Sequence, residues 1–357
     1  MDLLTAFGWD ERLAPAPDLL STLEPARVIA QERDRWRVIA ERGELLAEAS
    51  GRFRRAARSP LDLPLTGDWV LIERGAGDGP APIQALLPRR TLLLRANAGR
   101  ATVAQGLAAN VDLALVVTAP DHDLSPRRLE RYQALLAGCG VRMAVVLNKA
   151  DLVEDAAGLV QDLELALPAL PTIATSALRN EGLDAVRALL LPRHTVVLLG
   201  SSGVGKSSLL NRLLGEERQA TTPVRERDDR GRHTTTRREL VPLPGGAILL
   251  DSPGLREVGP WSKDGLAGAF DEIDEASGEC RFRDCTHEHE PGCAVLAAAE
   301  AGEIDPGRLE SFWKLRGELD RRERLQTRRA RYESRRKDRR ARLEVRRRIA
   351  EKDPGWD

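Results

Sequence analysis

The chain has no net charge, no long apolar run and few cysteines. Its 55 Lys and Arg residues balance 55 Asp and Glu residues, so the overall charge predicts no polyanionic partner. No apolar run is long enough to cross a bilayer, and the acidic N-terminal lead, MDLLTAFGWDERL, is unlike a signal peptide. The default expectation is a cytoplasmic protein without membrane attachment.

The four cysteines are unevenly placed, which argues against a disulfide framework. Cys139 stands apart and is expected to be a small buried residue of a domain core. The other three lie close to a histidine in the spacing C-x₄-C-x-H-x₅-C: Cys280, Cys285, His287 and Cys293. Three thiolates and one imidazole are typical of structural zinc. His289 is an alternative ligand, and incidental clustering is the alternative without a metal.

Length and composition predict a multidomain globular protein, with 42% hydrophobic and 31% charged residues over 357 positions. Changes in local composition divide the chain into five parts. They are an N-terminal arm (1–25), a small β-barrel domain (26–105), an α/β domain (106–258), a metal-binding helical domain (259–325) and an arginine-rich tail (326–357).

The β domain is predicted from short segments, such as ARVIAQE and TGDWVLIERG, that glycine or proline separates. They favour a barrel or sandwich of five or six strands. Arginines cluster around Phe53 at one turn, namely Arg52, Arg54, Arg55 and Arg58. Contact with an oligonucleotide would explain them, and so would a solvated surface on a purely structural domain.

Residues 200–208, GSSGVGKSS, match the phosphate-binding pattern GxxxxGK[ST]. They follow an apolar strand predicted over 195–199 and lead into an amphipathic helix predicted over 206–214. The glycines let backbone N–H groups point at one set of phosphate oxygens, whereas a purely structural turn is the alternative. Lys206 is placed to reach the β and γ phosphates, and Ser207 to bind Mg²⁺. The predicted contacts are Gly200, Ser201, Ser202, Gly203, Val204, Gly205, Lys206, Ser207 and Ser208.

A second nucleotide segment, NKAD at 148–151, follows a buried strand predicted over 141–147. The carboxylate of Asp151 can accept hydrogen bonds from the N1–H and the 2-amino group of guanine, whereas adenine would leave it unpaired. Asn148 and Lys149 would brace the base and the phosphate loop. The segment therefore predicts a preference for GTP over ATP.

Three further elements complete the predicted α/β domain. A strand over 111–118 leads into a helix over 125–137, with Ser125 as its cap. A strand over 172–175 delivers Ser176 and Ala177, whose backbone amides could contact the guanine O6. Alternatively, Ser176 caps a helix predicted over 181–191.

A long polar loop follows the phosphate loop and ends in GRHTTT at 231–236. In nucleotide switches, a threonine of such a loop binds Mg²⁺ and the γ phosphate. Thr236 is the first candidate, and Thr234 and Thr235 are alternatives. After a strand predicted over 247–250, Asp251 of the segment DSPG would hold Mg²⁺ through water, and the Gly254 N–H would sense the γ phosphate.

These motifs run in an unusual order, because the guanine segment precedes the phosphate loop and the switch segments follow it. The order is a circular permutation of the ordinary GTPase arrangement. The set NKAD, TSAL, GSSGVGKSS, GRHTTT and DSPG, with a β domain before it and the Cys/His cluster behind it, resembles the RsgA (YjeQ) family of bacterial GTPases. Ser252 stands where threonine is commoner in that family.

The resemblance covers residues 26–325 and implies more than the motifs show. It implies an oligonucleotide-binding (OB) fold at the N-terminus, a zinc domain with His287 as the ligand, and a role in late maturation of the small ribosomal subunit. The implied partners are that subunit and its rRNA, and asymmetric docking favours a monomer. The competing hypothesis is an RNA-binding module in which the nucleotide is a structural ligand.

Catalysis is expected to need a partner. Leu255 follows DSPG where many GTPases have a glutamine that orients water, so intrinsic turnover should be slow, about 10⁻³ to 10⁻⁴ per second. His233 is the residue nominated to align the water when the loop closes, although a surface histidine is the alternative.

The end of the chain is strongly basic. Residues 321–348 contain fifteen Arg or Lys and four Asp or Glu residues, and neither glycine nor proline. The pattern predicts a long helix that contacts RNA phosphates, with a solvated helix as the alternative.

Overall fold

The computed structural model describes residues 3–14, 19–32, 34–75, 79–97, 100–121, 123–168, 170–215, 238–251, 264–321, 323–325 and 327. The predicted switch residues His233, Thr236 and Gly254 lie outside these ranges, as does most of the arginine-rich tail. Among the helices of the described ranges, none has the length and apolar character needed to cross a bilayer.

Five strands near the N-terminus close into a barrel, which confirms the predicted β-barrel. The strands are β1 (Leu23–Glu32), β2 (Arg35–Ala40), β3 (Gly43–Ala49), β4 (Trp69–Glu73) and β5 (Ala81–Leu86). They pair in the order β1-β2-β3-β5-β4, and β4 returns to β1. The pairs are antiparallel except β3 with β5. Small and branched side chains such as Val38, Val70 and Ile83 fill the interior.

Residues before and between the barrel strands form short helices. Helix α1 (Leu3–Ala6) belongs to the N-terminal arm, where Leu4 and Phe7 are buried in the main core. Helix α2 (Gly51–Ala56) carries three of the clustered arginines, all exposed. A turn was predicted there, and a helix forms because the Ser50 Oγ accepts a hydrogen bond from the Phe53 N–H at 3.2 Å.

A hairpin, β6 (Leu92–Asn97) with β7 (Arg100–Ala109), connects the barrel to the α/β domain. Beside it, the Asp68 carboxylate is fully buried and accepts hydrogen bonds from Arg89 Nε at 2.8 Å and Nη2 at 2.7 Å. Arg89 also donates to the backbone oxygens of Leu61 and Leu63, at 2.6 and 3.0 Å. Burial raises the pKa of Asp68, while the Arg89 guanidinium opposes that shift.

Arg89→Ala is expected to lower the free energy of unfolding by about 3–5 kcal/mol, because it removes the guanidinium that forms the salt bridge with the buried Asp68 carboxylate. Urea denaturation measures the change. Arg12→Ala serves as a control, since the Arg12 side chain is 91% exposed and its removal should change stability by no more than about 0.5 kcal/mol. Equal stability of the two variants would contradict the structural role of Arg89.

The α/β domain has a central sheet of six strands in the order β10-β9-β8-β11-β13-β12. Five are parallel, and β12 runs antiparallel to β13. The strands are β8 (Leu113–Thr118), β9 (Arg142–Leu147), β10 (Thr172–Ala174), β11 (Thr195–Leu199), β12 (Glu239–Pro242) and β13 (Ile248–Asp251). Each predicted strand of this domain is found, with ends that differ by no more than two residues.

Helices cover both faces of this sheet. They are α3 (Pro126–Gly138), α4 (Ala156–Ala166), α5 (Leu183–Leu189) and α6 (Lys206–Leu214). Helices α3 and α4 pack on one face with side chains such as Val116 and Val145, and α5 and α6 pack on the other with Leu115 and Val146. Cys139 is buried in the first of these clusters, as predicted, and burial raises the pKa of its thiol.

The barrel and the central sheet share a ladder, because β1 pairs with β12 at Ala30 and Glu239. Nearby, Arg37 Nη1 lies 3.0 Å from the Glu239 carboxylate. Arg27 is buried where the domains meet and donates to Thr195 Oγ1 at 2.6 Å, with its guanidinium 5.4 Å from the centre of the Trp69 ring. Desolvation lowers the pKa of Arg27 to about 10.

Over residues 264–321, the C-terminal domain consists of three short helices and one longer helix around its own apolar core. They are α7 (Asp264–Ala267), α8 (Asp271–Ser277), α9 (Ala294–Glu300) and α10 (residues 306–321). The domain packs on α3, and a Cβ on Gly265 would overlap the backbone oxygen of Ala134. Arg308 fixes this contact by donating to Glu272 Oε1 at 2.5 Å and to Glu130 Oε1 at 3.3 Å.

Candidate nucleotide site and metal centre

The carboxyl ends of the five parallel strands meet at one edge of the central sheet. Strands β9, β10 and β11 lead there into Asn148, Thr175 and Gly200, and β13 ends at Asp251. The crevice beyond this edge is where open α/β sheets bind their ligands. The predicted nucleotide residues that the structure describes therefore lie at the expected edge.

The phosphate loop joins β11 to α6, and its shape depends on glycine. The φ angles of Gly200, Gly203 and Gly205 are 128°, 87° and 92°, a region that favours glycine. A Cβ on Gly200 would overlap the backbone oxygen of Val117, and one on Gly205 would overlap the side-chain amide of Asn148. The side chain of Val204 is buried in the apolar core beneath the sheet edge and fixes the loop to that core.

Lys206 begins α6 and turns its side chain over the phosphate loop. Its Nζ donates to the backbone oxygen of Gly200 at 2.8 Å and to that of Ser201. The neighbouring Ser202 is exposed, while Ser207 and Ser208 are half-buried at the start of α6. The ammonium group is thus held at the mouth of the loop, beside the N-terminus of a helix that favours anions.

Asn148 joins three separate segments into one site. Its side chain is buried, and Nδ2 donates to the backbone oxygen of Val204 at 2.8 Å. Its Oδ1 accepts from the Ala177 N–H at 3.1 Å and from Thr175 Oγ1 at 3.2 Å. One amide therefore ties the NKAD segment to the phosphate loop and to the TSAL segment.

Lys149 and Asp151 follow Asn148 in a tight turn. Lys149 has a φ of 62°, and Ala150–Leu152 form one turn of 3₁₀ helix that includes Asp151. The Ala150 N–H donates to the backbone oxygen of Thr175 at 2.9 Å, which fixes the turn to the neighbouring strand. The half-buried Asp151 is therefore held on a short, braced segment.

Ser176 does not cap the following helix, so that alternative is wrong. Ser176 and Glu181 exchange two backbone hydrogen bonds, at 3.0 and 3.1 Å, which close a compact turn before α5. Gly182 takes the N-cap position of α5 instead. The N–H groups of Ser176 and Ala177 thus both have acceptors within the protein, Glu181 and Asn148 respectively.

One group of polar side chains beside the phosphate loop was not predicted. Arg128 Nη1 donates to Ser201 Oγ at 2.9 Å, and both terminal nitrogens of Arg128 lie 2.5 Å from the Asp123 carboxylate oxygens. Burial would raise the pKa of Asp123, but hydrogen bonds from Arg128, Ser201 and Thr118 outweigh it and hold that pKa below its usual value. An aspartate after a strand, with an arginine in the first turn of the next helix, was the available signal.

The Cys/His cluster is assembled as the spacing predicts. The ligand atoms of Cys280, Cys285, His287 and Cys293 all lie within 4.8 Å of one another. Cys280 Sγ is 3.8 Å from Cys293 Sγ, and each lies 3.5 Å from His287 Nδ1. Two thiolates bound at about 2.3 Å to one tetrahedral ion would lie about 3.8 Å apart, so the donor set fits zinc.

The surroundings of the metal cluster support the same fit. Desolvation, together with the neighbouring thiols of Cys293 and Cys280, raises the pKa of Cys285 to about 11. A divalent cation would remove this penalty by holding the thiolates. Glu290 braces the loop by accepting from the Thr286 N–H at 2.9 Å, and His289 is exposed outside the ligand group.

The barrel, the parallel sheet and the succession of nucleotide segments define a circularly permuted GTPase. The family model described as "RsgA GTPase" matches residues 86–261. Proteins named "Small ribosomal subunit biogenesis GTPase RsgA" are similar to this chain. The one from Opitutus terrae is 43% identical, with 88% of this chain and 89% of that protein covered. The one from Xylella fastidiosa strain M23 is 45% identical, with 89% and 96% covered.

Solved structures agree with these sequence relatives. The crystal structure of YjeQ from Thermotoga maritima has a TM-score of 0.64 and 27% identity, and covers 83% of this chain and 98% of that one. YloQ, described as "a circularly permuted GTPase", shares the fold with a TM-score of 0.61 and 23% identity, and covers 87% and 99%. The chain belongs to the RsgA family of GTPases.

Proposed function

We propose that this protein hydrolyses GTP in the biogenesis of the small ribosomal subunit, binding the subunit and its rRNA as a monomer in the cytoplasm. The observation that carries the proposal is the buried Asn148 amide, which holds a guanine-type segment and a phosphate loop in one site. The names of the relatives indicate the biological setting.

The proposed nucleotide contacts follow from this arrangement. Asp151 reads the guanine edge, and Lys206 leaves the loop carbonyls to bind the β and γ phosphates. The Ala177 N–H shares its hydrogen between Asn148 and the guanine O6, while Ser176 closes the turn behind it. The backbone N–H groups of loop residues 200–208 donate hydrogen bonds to the phosphate oxygens.

Mg²⁺ and zinc complete the proposed site and fold. Ser207 at the start of α6 and Asp251 at the end of β13 both belong to the same edge of the sheet, where oxygen ligands suit Mg²⁺. Thr236 and Gly254 are proposed from sequence to complete the contacts with Mg²⁺ and the γ phosphate. The Cys₃His cluster would hold a structural zinc ion, whose role is to order the C-terminal domain.

The basic surfaces are proposed to face rRNA. Arg52, Arg54 and Arg55 are exposed on one short helix of the barrel, and the tail adds a much larger excess of positive charge. Each phosphate that such side chains neutralise adds to affinity and to its salt dependence.

Intrinsic GTP turnover is expected to be about 10⁻⁴ to 10⁻³ per second. Small ribosomal subunits should raise that rate by a factor on the order of 10² or more, because they would order the switch segments. Phosphate release with and without subunits measures the effect.

Lys206→Ala should abolish hydrolysis, and His233→Ala should abolish the stimulation while sparing nucleotide binding. An unchanged rate with subunits would favour the RNA-binding module, and unchanged stimulation of His233→Ala would remove that residue from the mechanism.

A further inference from the structure

We propose that Arg128 is a positioning residue of the phosphate loop, which it holds through the hydroxyl of Ser201 so that the loop is shaped to receive the nucleotide phosphates. The inference rests on the proposed function only in taking a guanine nucleotide as the ligand. Arg128 belongs to α3, outside the strand, loop and helix that form the phosphate site itself.

The Arg128 guanidinium is itself held in place. Asp123, which is buried, follows β8 and binds both terminal nitrogens of Arg128. Thr118 Oγ1, at the end of β8, donates to Asp123 Oδ2 at 3.1 Å. A planar guanidinium fixed by two carboxylate oxygens has a defined direction for its remaining donors. One of them meets Ser201 Oγ at 2.9 Å.

The phosphate loop therefore has support on both of its halves. Asn148 holds the second half through the backbone oxygen of Val204. The first half is held by Lys206, through the backbone oxygens of Gly200 and Ser201, and by Arg128 through the Ser201 hydroxyl. In the proposed function Lys206 leaves these backbone oxygens for the phosphates, which leaves the Ser201 hydroxyl held by Arg128 and Asp123.

The neighbouring arginines of α3 form ion pairs with α10 and, within the described ranges, do not contact the phosphate loop, which makes them matched controls. Arg127 lies 3.0 Å from Glu310, and Arg131 lies 2.8 Å from Glu318, both on α10. Positions 127 and 131 share one face of the helix, whereas position 128 is turned away from it. Removal of the positive charge from Arg127 or Arg131 is therefore expected to leave the phosphate loop unchanged.

Fluorescent GDP and GTP analogues test the proposal on the full-length protein. Arg128→Ala and Ser201→Ala should each weaken binding about tenfold to a hundredfold, because each removes a hydrogen bond to a charged group. The losses in the double variant should be less than additive, since both single changes break the contact between Arg128 and Ser201, while Ser201→Ala also removes a hydrogen bond to Asp123. Arg128→Lys should recover part of the affinity, and Arg127→Ala should stay within about twofold of the wild type.

The kinetic pattern separates positioning from a general loss of structure. With GTP, Arg128→Ala should raise KM more than it lowers kcat, and the preference for GDP over ADP should remain because Asp151 is unchanged. If Arg128→Ala does not fold, Ser201→Ala, which keeps the ion pair with Asp123, and Arg128→Lys decide the question. Wild-type affinity of Ser201→Ala, or additive losses in the double variant, would overturn the inference. Failure of the wild type to bind guanine nucleotides would instead overturn the proposed function.

Discussion

Asp151→Asn is expected to remove the preference of this protein for guanine. The carboxylate accepts two hydrogen bonds from the N1–H and the 2-amino group, whereas an asparagine amide offers one acceptor and places a donor against the amino group. Sites built on such buried polar pairs discriminate on the order of 10⁴-fold, so most of the affinity for GTP relative to ATP should be lost. Xanthine has an oxygen in place of the 2-amino group, so XTP should bind the variant better than GTP.

Competition of GTP, XTP and ATP against a fluorescent nucleotide measures this change in preference. Asp155→Asn is the matched control, because Asp155 is an exposed cap of α4 whose Oδ1 accepts from the Gly158 N–H at 2.8 Å, a role that asparagine also fills. A retained preference for GTP in Asp151→Asn would contradict the assignment of Asp151 and revive an ATP-specific enzyme.

Loss of zinc is expected to unfold the C-terminal domain over residues 264–321. Cys285 and Cys293 belong to the apolar core of that domain as well as to the metal cluster, so the ion and the core hold the same helices. Structural zinc contributes about 10–16 kcal/mol of apparent binding free energy in small domains, more than such a core supplies. Cys285→Ala should therefore lose zinc and expose this region to limited proteolysis.

Elemental analysis of the purified variants measures the metal content. His289→Ala is the control, since His289 lies in the same loop but outside the ligand group, and it should keep one zinc ion per chain. Guanine nucleotide binding should survive in Cys285→Ala, because the residues proposed to bind the nucleotide lie at the edge of the central sheet and not in the C-terminal domain. Full zinc content in Cys285→Ala, or its loss in His289→Ala, would contradict the assigned ligands.

Local patterns in the sequence predicted the nucleotide edge of the fold closely. The strand Thr195–Leu199 and the helix Lys206–Leu214 begin and end at the predicted residues, because an apolar run, a glycine loop and helical periodicity lie next to one another there. The Cys/His cluster was equally local, since its four residues lie within fourteen positions. The spacing predicted the three cysteines and a histidine, and the family resemblance selected His287 over His289.

Contacts between distant segments that belong to no known motif could not be predicted in this way. Arg128 and Ser201 are 73 positions apart, and neither has an unusual local pattern. The pairing of β1 with β12 depends on two strand edges more than 200 positions apart, for which the sequence carries no register signal. The turn at Ser176 was ambiguous because serine suits a turn and a helix cap equally.

The shared ladder of β1 and β12 has a mechanical consequence. Glu239 is three residues beyond Thr236, and β12 leads through one hairpin into β13 with Asp251 at its end. A rotation of the barrel about that ladder would displace β12, which lies in the sequence between Thr236 and Gly254, the two residues proposed to contact the γ phosphate.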